Sequence, residues 1–321
     1  MPALSFLFRL ALPLVALLLA VSPERCPAAH RILVVCGNPG EPSYAESLGS
    51  TEKQWIEAAA KAGHSATSVP HSDSLPQIDA LRNALAEVAA SPSPDPLWLV
   101  LLGHGSAQGR SPKFMLHGPH LSADELAKML APVRRPVFVI AGFSCSGAFL
   151  KPLSDPNRIL LTATKSGAEE NWTRFPQFLT SALTSLDADT DADGQVSLRE
   201  AWSHASRAVE DFYLQQGRLS TEHSVLDEGE AASPKAPPRR ALRATDWFLL
   251  ASPEEAGLSQ DQRETRTTLE HALARLRESK SQTDPAEYSR KLEALLLQIA
   301  RIYLPSTTPP PPPSAPVPEK K

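Results

Sequence analysis

Two long apolar runs that end in small residues constrain this chain more than any other feature. Residues 96–106 read PLWLVLLGHGS and residues 136–147 read PVFVIAGFSCSG. Continuous runs of Val, Leu, Ile and Phe are typical of strands that are buried on both faces of a parallel sheet. His104 and Cys145 fall at the ends of these strands. The sequence therefore predicts a sheet edge that carries an imidazole and a thiol.

Further strands alternate with amphipathic helices on both sides of these runs. This alternation predicts βαβ units with right-handed crossovers. We therefore predict an α/β fold, a three-layer αβα sandwich with a mostly parallel sheet. Ligands of such sheets collect at the carboxyl ends of the strands. The additional predicted strands are residues 31–37, 65–69 and 159–164, and residues 246–250 are a last short strand or a docking segment. The predicted helices are residues 51–62, 77–90, 122–130, 175–186 and 198–216.

The N-terminus has the layout of a secretory signal peptide. Arg9 precedes an apolar stretch at residues 10–21, and Pro23 follows it. A bilayer-spanning helix needs about 20 apolar residues, so this stretch is short for a span. We expect residues 1–28 to be a signal and the protein to be exported, periplasmic or extracellular, with no stable membrane span after cleavage. A membrane-anchored N-terminus is the alternative.

Charge and cysteine content narrow the function further. The net charge of −4 offers no basic surface for nucleic acid. Cys26 leaves with the predicted signal, and Cys36 and Cys145 remain. Two cysteines in an exported protein can form a disulfide, but thiols at the ends of buried strands more often stay free.

The chain divides into one main domain and C-terminal appendages. We assign residues 29–217 to the main domain, 218–250 to a linker and a closing strand, and 251–303 to a helical hairpin. Residues 304–321 form a proline-rich tail that is typical of disorder or polyproline II. The apolar stripe of the hairpin, or the tail, is predicted to hold a protein partner.

An acidic loop at residues 187–200 matches the EF-hand pattern D-x-D-x-D-G-x-V-S-x-x-E. Hard oxygen ligands at this spacing surround Ca²⁺, with a glycine for the sharp turn and predicted helices on both sides. An acidic helix cap without metal is the alternative. The predicted calcium ligands are Asp189, Asp191, Asp193, Gln195 through its carbonyl group, Ser197 and Glu200.

A histidine and a cysteine at neighbouring strand ends can act as a base and a nucleophile. Alone, such a pair is more often structural, because thiols and histidines are frequently buried. The sequences around His104 and Cys145 favour a catalytic role over a structural one. LLGHGS at residues 101–106 resembles the catalytic histidine strand of legumain-type peptidases, which belong to the caspase/legumain/gingipain clan. AGFSCSGAF at residues 141–149 resembles the nucleophile strand of that clan.

The resemblance extends over roughly residues 31–215, and residues 161–171 are similar to bacterial legumain-like members. It implies a caspase-like αβα sandwich and a cysteine endopeptidase that cleaves a protein or peptide substrate. By this resemblance His104 is the acid and base, Cys145 is the nucleophile, and the N–H groups of Gly105 and Cys145 form the oxyanion hole.

The motif departs from the legumain pattern by one residue. In that pattern one residue separates the cysteine from Ser-Gly, which places Ser144 at the nucleophile position. The caspase spacing, Cys-x-Gly, instead fits Cys145 and Gly147. A one-residue shift at a strand end turns a side chain to the other face of the sheet. The alternative to an active peptidase is therefore a pseudoenzyme, a calcium-binding interaction or scaffold protein of the same fold.

Overall fold

The computed structural model describes residues 30–91, 93, 95–108, 111–229 and 242–304. The predicted signal at residues 1–28, with Cys26, lies outside the described residues. The same holds for residues 305–321 of the predicted tail and residues 230–241 of the predicted linker.

Six of the described strands form one twisted sheet in the order β2-β1-β3-β7-β8-β9. All neighbours are parallel except β8 and β9, which are antiparallel. Every residue of the central strands β3 and β7 is buried. The strands are β1 (Arg31–Cys36), β2 (Ser65–Ser68), β3 (Leu97–Gly103), β4 (Gly105–Ser106), β5 (Lys113–Phe114), β6 (Leu121–Ser122), β7 (Val137–Phe143), β8 (Arg158–Thr162) and β9 (Val225–Asp227).

Helices cover both faces of this sheet, which confirms the predicted three-layer αβα sandwich. One apolar core lies between the sheet and α1, α5 and α6, and a second lies between the sheet and α2, α3 and α4. The helices are α1 (Pro42–Lys61), α2 (Gln77–Ala90), α3 (Ala123–Leu130), α4 (Leu150–Leu153), α5 (Phe175–Ala182), α6 (Leu198–Gln215), α7 (Pro253–Ala256), α8 (Gln260–Glu278) and α9 (Pro285–Tyr303).

Strands β4, β5 and β6 form a small antiparallel sheet immediately after β3. The N–H of Met115 donates to the carbonyl oxygen of His104 at 2.9 Å. This hydrogen bond fixes the chain where it leaves β3. Ser122 and Glu125 form a capping box at the start of α3, where the helix was predicted to begin.

Two elements differ from the prediction. Helix α1 begins at Pro42, nine residues before the predicted start, because proline is favoured in the first helical turn. Tyr44 therefore lies in the first turn of this helix. The closing strand is β9, within the predicted linker, and residues 246–250 contribute a single bridge from Phe248 to Ser197. A three-residue edge strand is too short to leave a readable period in the sequence.

The predicted C-terminal hairpin is confirmed as α8 followed by α9. Asp284 caps α9 by accepting hydrogen bonds from the N–H groups of its second and third residues. The hairpin is fastened to α7 by Arg266 and Glu255, whose ion pair is 3.0 Å long with both side chains 6% exposed. The hydroxyl of Tyr303 also donates to Glu255. Among the helices within the described ranges, none combines the length and the hydropathy that a membrane crossing requires.

Candidate active site and acidic loop

His104 follows β3 at the carboxyl edge of the sheet and is half-buried. Its Nε2 lies 3.0 Å from the carbonyl oxygen of Pro39. Because a carbonyl oxygen only accepts, Nε2 is the donor, and the neutral ring keeps a lone pair on Nδ1. Burial lowers the pKa of His104, while the Pro39 bond and the carboxylate of Glu41 partly oppose it. The neutral imidazole that a general base requires is therefore the favoured form.

Two aromatic rings contact the His104 ring. The Tyr44 ring meets it edge-on with 5.1 Å between centroids, and the Trp172 ring lies 5.0 Å away. Tyr44 and Trp172 also stack on each other at 4.5 Å. No sequence pattern pointed to Trp172. Aromatic residues in segments 128 positions apart left no signal, because only the fold brings them together.

Ser144 uses its hydroxyl group on the residue that follows His104. Its Oγ accepts from the N–H of Gly105 at 3.1 Å and donates to the carbonyl oxygen of Gly105 at 3.3 Å. Ser144 is 1% exposed. A Cβ on Gly105 would lie 2.2 Å from the backbone oxygen of Ser144, so the close approach requires glycine. The structure thus gives the Ser144 side chain the role of a clamp between the ends of β3 and β7.

Cys145 adopts the left-handed conformation, with φ 63° and ψ 8°. This conformation costs an L-residue about 1–2 kcal/mol. The residue is 1% exposed, and burial raises the pKa of its thiol, although the N–H of Ala107 partly opposes this. Its own N–H donates to the carbonyl oxygen of Glu169 at 2.8 Å. The thiol is thus protonated and covered in this conformation.

The strand register brings these residues together. Gly103 pairs with Phe143, so His104 and Ser144 are the next residues on adjacent parallel strands. Within the described part of the chain, the His104 ring makes its hydrogen bond to Pro39, and none joins it to Cys145 or Ser144. The two N–H groups predicted as the oxyanion hole, those of Gly105 and Cys145, both already donate to protein oxygens.

A polar network supports the turn that follows Cys145. The hydroxyl groups of Ser146 and Thr164 are 3.1 Å apart, and both residues are fully buried. The Thr164 hydroxyl also accepts from the N–H of Gly147, and the Ser146 hydroxyl accepts from the N–H of Thr164. A Cβ on Gly147 would lie 2.2 Å from the nitrogen of Ser166. The turn is therefore fixed to the end of β8.

Glu169 links the turn at Cys145 to the segment before β9. Its Oε1 lies 2.6 Å from Nδ1 of His223, and its Oε2 accepts from the N–H groups of Lys165 and His223. Burial acts to raise the pKa of Glu169, but these hydrogen bonds outweigh it and lower the pKa. Because the Glu169 carbonyl holds the N–H of Cys145, this link also positions the Cys145 backbone.

A second buried carboxylate, Glu222, caps α5. It accepts from the N–H groups of Arg174 and Phe175 and from the hydroxyl of Tyr213. Burial raises the pKa of Glu222 in spite of these bonds. A cavity of about 220 Å³ opens beside it, and Trp202 and His223 are among its other lining residues. No sequence pattern pointed to this carboxylate.

The acidic loop brings three carboxylates together between α5 and α6. Oxygens of Asp189, Asp191 and Asp193 lie within 4.8 Å of one another. Gly194 has φ 84°, the left-handed conformation expected of the turn glycine. Burial, followed by the neighbouring carboxylates, raises the pKa of Asp193 to about 6, and the pKa of Asp191 is also raised. The crowding of like charges favours a cation at this position.

Glu200 closes the loop from the first turn of α6. Its Oε1 accepts from the N–H of Thr190 at 2.8 Å, and its Oε2 accepts from the N–H of Ser197 at 3.0 Å. The side-chain oxygen of Gln195 accepts from the N–H of Ser252. The backbone carbonyl group of Gln195 is therefore the one that can serve as a ligand in the loop. These donor types are the oxygen ligands that Ca²⁺ takes, so the residues present fit the ion.

Comparisons with known proteins concern the fold alone. No family model matches the sequence, and no curated protein matches it. Similar solved structures include a protein from Geobacter sulfurreducens, at 14% identity, with a TM-score of 0.45 and coverage of 68% of this chain and 100% of that one. They also include caspase-1 from Spodoptera frugiperda, at 13% identity, with a TM-score of 0.42 and coverage of 62% of this chain and 86% of that one. The Drosophila initiator caspase Dronc is similar at 12% identity, with a TM-score of 0.44 and coverage of 64% of this chain and 80% of that one. Similarity at this level assigns neither a family nor an activity to the chain.

Proposed function

We propose that this protein is a cysteine endopeptidase held in a latent conformation, with Cys145 as nucleophile and His104 as acid and base. The observation that carries the proposal is the left-handed backbone of Cys145 at the end of β7, beside the strand that ends at His104. Strained non-glycine residues persist where the surrounding structure enforces them, and they cluster at functional sites.

The chemistry needs one base and one thiol. The thiol proton of Cys145 passes to Nδ1 of His104, and the thiolate attacks the carbonyl carbon of the peptide bond. The imidazolium returns the proton to the leaving amine as the C–N bond breaks, which leaves a thioester on Cys145. His104 then removes a proton from water, whose hydroxide releases the carboxylic acid product and the free thiol.

Latency follows from two hydrogen bonds. The N–H of Cys145 is held by Glu169, and the N–H of Gly105 is held by the Ser144 hydroxyl. Neither can stabilise an oxyanion until it is released, and one oxyanion donor contributes about 3–4 kcal/mol to a barrier. A serine hydroxyl can rotate away, so Ser144→Ala is expected to free one donor and to increase reactivity.

The test is labelling by peptidyl electrophiles, read by intact mass spectrometry, of the full chain with Cys26→Ala in every variant, so that Cys36 and Cys145 are the cysteines compared. Wild type and Cys36→Ala should each gain one adduct, and Cys145→Ala should gain none. Cys36 is the matched control, because it is the other cysteine of the described chain and burial raises its thiol pKa to about 12. Absence of any Cys145 adduct, with Ser144→Ala also unreactive, overturns the peptidase proposal.

That negative result supports the second candidate, a non-catalytic binding or scaffold protein of the same fold. The occupied N–H groups and the raised pKa of the Cys145 thiol favour it. A protein or peptide that binds the site without being cleaved distinguishes this candidate from the first. The assay is incubation with peptide libraries, followed by mass spectrometry of both the bound and the cleaved fractions.

We also propose that the acidic loop binds Ca²⁺ through Asp189, Asp191, Asp193, the carbonyl group of Gln195, Ser197 and Glu200. The clustered carboxylate oxygens and the raised pKa of Asp193 support this proposal. An isolated loop of weak affinity has a dissociation constant on the order of 10⁻⁴ M. At 10 mM Ca²⁺ the ion would then stabilise the fold by about 2.7 kcal/mol.

Calorimetric titration and thermal unfolding test the calcium proposal. Glu200→Gln should abolish the heat of binding and the stabilisation, yet keep the helix start, because glutamine also completes a capping box. Glu210→Gln, an exposed carboxylate on the same helix, is the control that should still bind. Equal binding by both variants, or no heat with wild type, contradicts the proposal.

Export is the last part of the proposed function. The charged and apolar pattern of residues 9–21 supports a cleaved secretory signal. Expression of the full chain in a secreting host, followed by mass measurement of the exported product, tests it. A product that begins near residue 29 is the expected result, and an intact N-terminus in the cytoplasmic fraction contradicts it.

A further inference from the structure

Helix α9 carries apolar residues on two sides. One side is half-buried in the hairpin with α8, through Tyr288, Leu292, Leu295, Ile299 and Ile302. The other side forms a shallow groove of about 400 Å³ lined by Ser289, Leu292, Glu293, Leu296, Leu297 and Ala300. A surface helix ordinarily keeps a single apolar stripe, so the second stripe indicates a partner.

Two leucines of this groove are open to solvent in the described chain. Leu296 is 46% exposed and Leu297 is 51% exposed. Burial of a leucine side chain contributes roughly 1.5–3 kcal/mol, which gives a partner helix a substantial driving force. Glu293 interrupts the apolar lining of the groove. A carboxylate inside a contact surface requires a cation from the partner, because an unpaired buried charge is strongly unfavourable.

The charges around Leu297 are arranged symmetrically with opposite sign. Glu293 lies four residues before it and Arg301 four residues after it, so all three share one face of α9. Both charged residues are exposed, and within the described ranges neither side chain has an ion-pair or hydrogen-bond partner. Ala294 and Ala300 lie three residues before and after Leu297 and leave room for a close approach.

We propose that the groove binds α9 of a second copy of this chain, antiparallel, with the two-fold axis at Leu297. In this register Leu297 packs against its own symmetry mate, and Glu293 faces Arg301 of the partner subunit. The small residue Ala294 faces the equivalent of Ala300, so the backbones come close. A parallel arrangement would place Glu293 against Glu293, which like charges disfavour.

Charge complementarity selects the second copy over other occupants. A two-fold contact requires that each residue at one distance before the axis suits the residue at the same distance after it. The pairs at distances of three and four residues are alanine with alanine and glutamate with arginine. The two hairpins would then form an antiparallel four-helix arrangement, in which the outer leucines of both α9 helices become core.

Sedimentation velocity of the full chain between 1 and 100 μM tests the proposal. Wild type is expected to dimerise and Leu297→Glu to stay monomeric. Leu219→Glu, at a leucine that is 90% exposed elsewhere on the surface, is the control that should still dimerise. Circular dichroism must show unchanged helix content in both variants, since a loss of the hairpin would also abolish dimerisation.

A charge swap makes the register testable. Glu293→Arg and Arg301→Glu should each weaken dimerisation at least tenfold, and the double variant should restore it. A chain ending at Leu304 tests the competing occupant, residues 305–321 of the same molecule. A monomeric wild type that dimerises only after this truncation overturns the proposal, as does a double variant that stays as weak as the single variants.

Discussion

Acid should destabilise this fold through a histidine at the amino-terminal edge of the sheet. Nδ1 of His30 accepts from Nε1 of Trp98 at 3.1 Å, so the ring must be unprotonated on that atom. The ring also stacks on His64 with 4.1 Å between centroids. Burial, followed by the nearby positive charges of His64 and Arg263, lowers the pKa of His30 to about 3.

The sign and size of the effect follow from this shift. A histidine whose pKa is lower in the folded state takes up its proton more readily when unfolded. Its stabilising contribution is complete above the unfolded pKa of about 6.5 and is lost as the pH falls from 6.5 toward 3. Between pH 7 and pH 5 the free energy of unfolding should fall by about 2 kcal/mol on account of His30 alone.

Urea unfolding at pH 7, 6 and 5, followed by tryptophan fluorescence, measures this loss. His30→Asn keeps an acceptor near the position of Nδ1 but does not titrate, so its stability should fall about 2 kcal/mol less than that of wild type over this range. His120→Asn, at an exposed histidine, controls for loss of a histidine as such and should behave as wild type. Parallel curves for wild type and His30→Asn would refute the reasoning.

Three further substitutions test the site and its supports. Gly105→Ala places a Cβ 2.2 Å from the backbone oxygen of Ser144, so the free energy of unfolding should fall by roughly 1–3 kcal/mol. Labelling of Cys145 by the peptidyl electrophile should be lost as well. Ser146→Ala removes the partner of a buried threonine hydroxyl and N–H, and urea titration should show a loss of about 1–3 kcal/mol. Arg266→Met leaves Glu255 buried without its cation, so the free energy of unfolding, measured in urea, should fall by about 3–5 kcal/mol. An unchanged free energy of unfolding would show that the Glu255 carboxylate becomes protonated at little cost.

The sheet could be predicted because its strands are distinctive. β3 and β7 are continuous apolar runs, and every residue in them is buried. The helix start at Ser122 could be predicted because a capping box is local in sequence. β9 could not, since three residues that add to a sheet edge depend on β8 for their conformation.

The candidate site could be predicted only in part, for the same reason. The strand ends at His104 and Cys145 could be predicted because continuous apolar runs precede them in the sequence. Trp172, which contacts the His104 ring, and His223, which pairs with Glu169, are brought in by loops whose course no local pattern encodes. The hydrogen bond from Ser144 to Gly105 depends on the register between two strands, which the sequence leaves open.

The acidic loop also fastens the start of the C-terminal arm. Ser197 bridges Phe248, the N–H of Leu198 donates to the carbonyl oxygen of Trp247 at 2.8 Å, and the Gln195 side chain holds the N–H of Ser252. A change that stabilises the acidic loop should therefore also stabilise residues 247–252, which lead into the hairpin. A protease that cuts near residue 250 would report this coupling as a change in cleavage rate when the loop is altered.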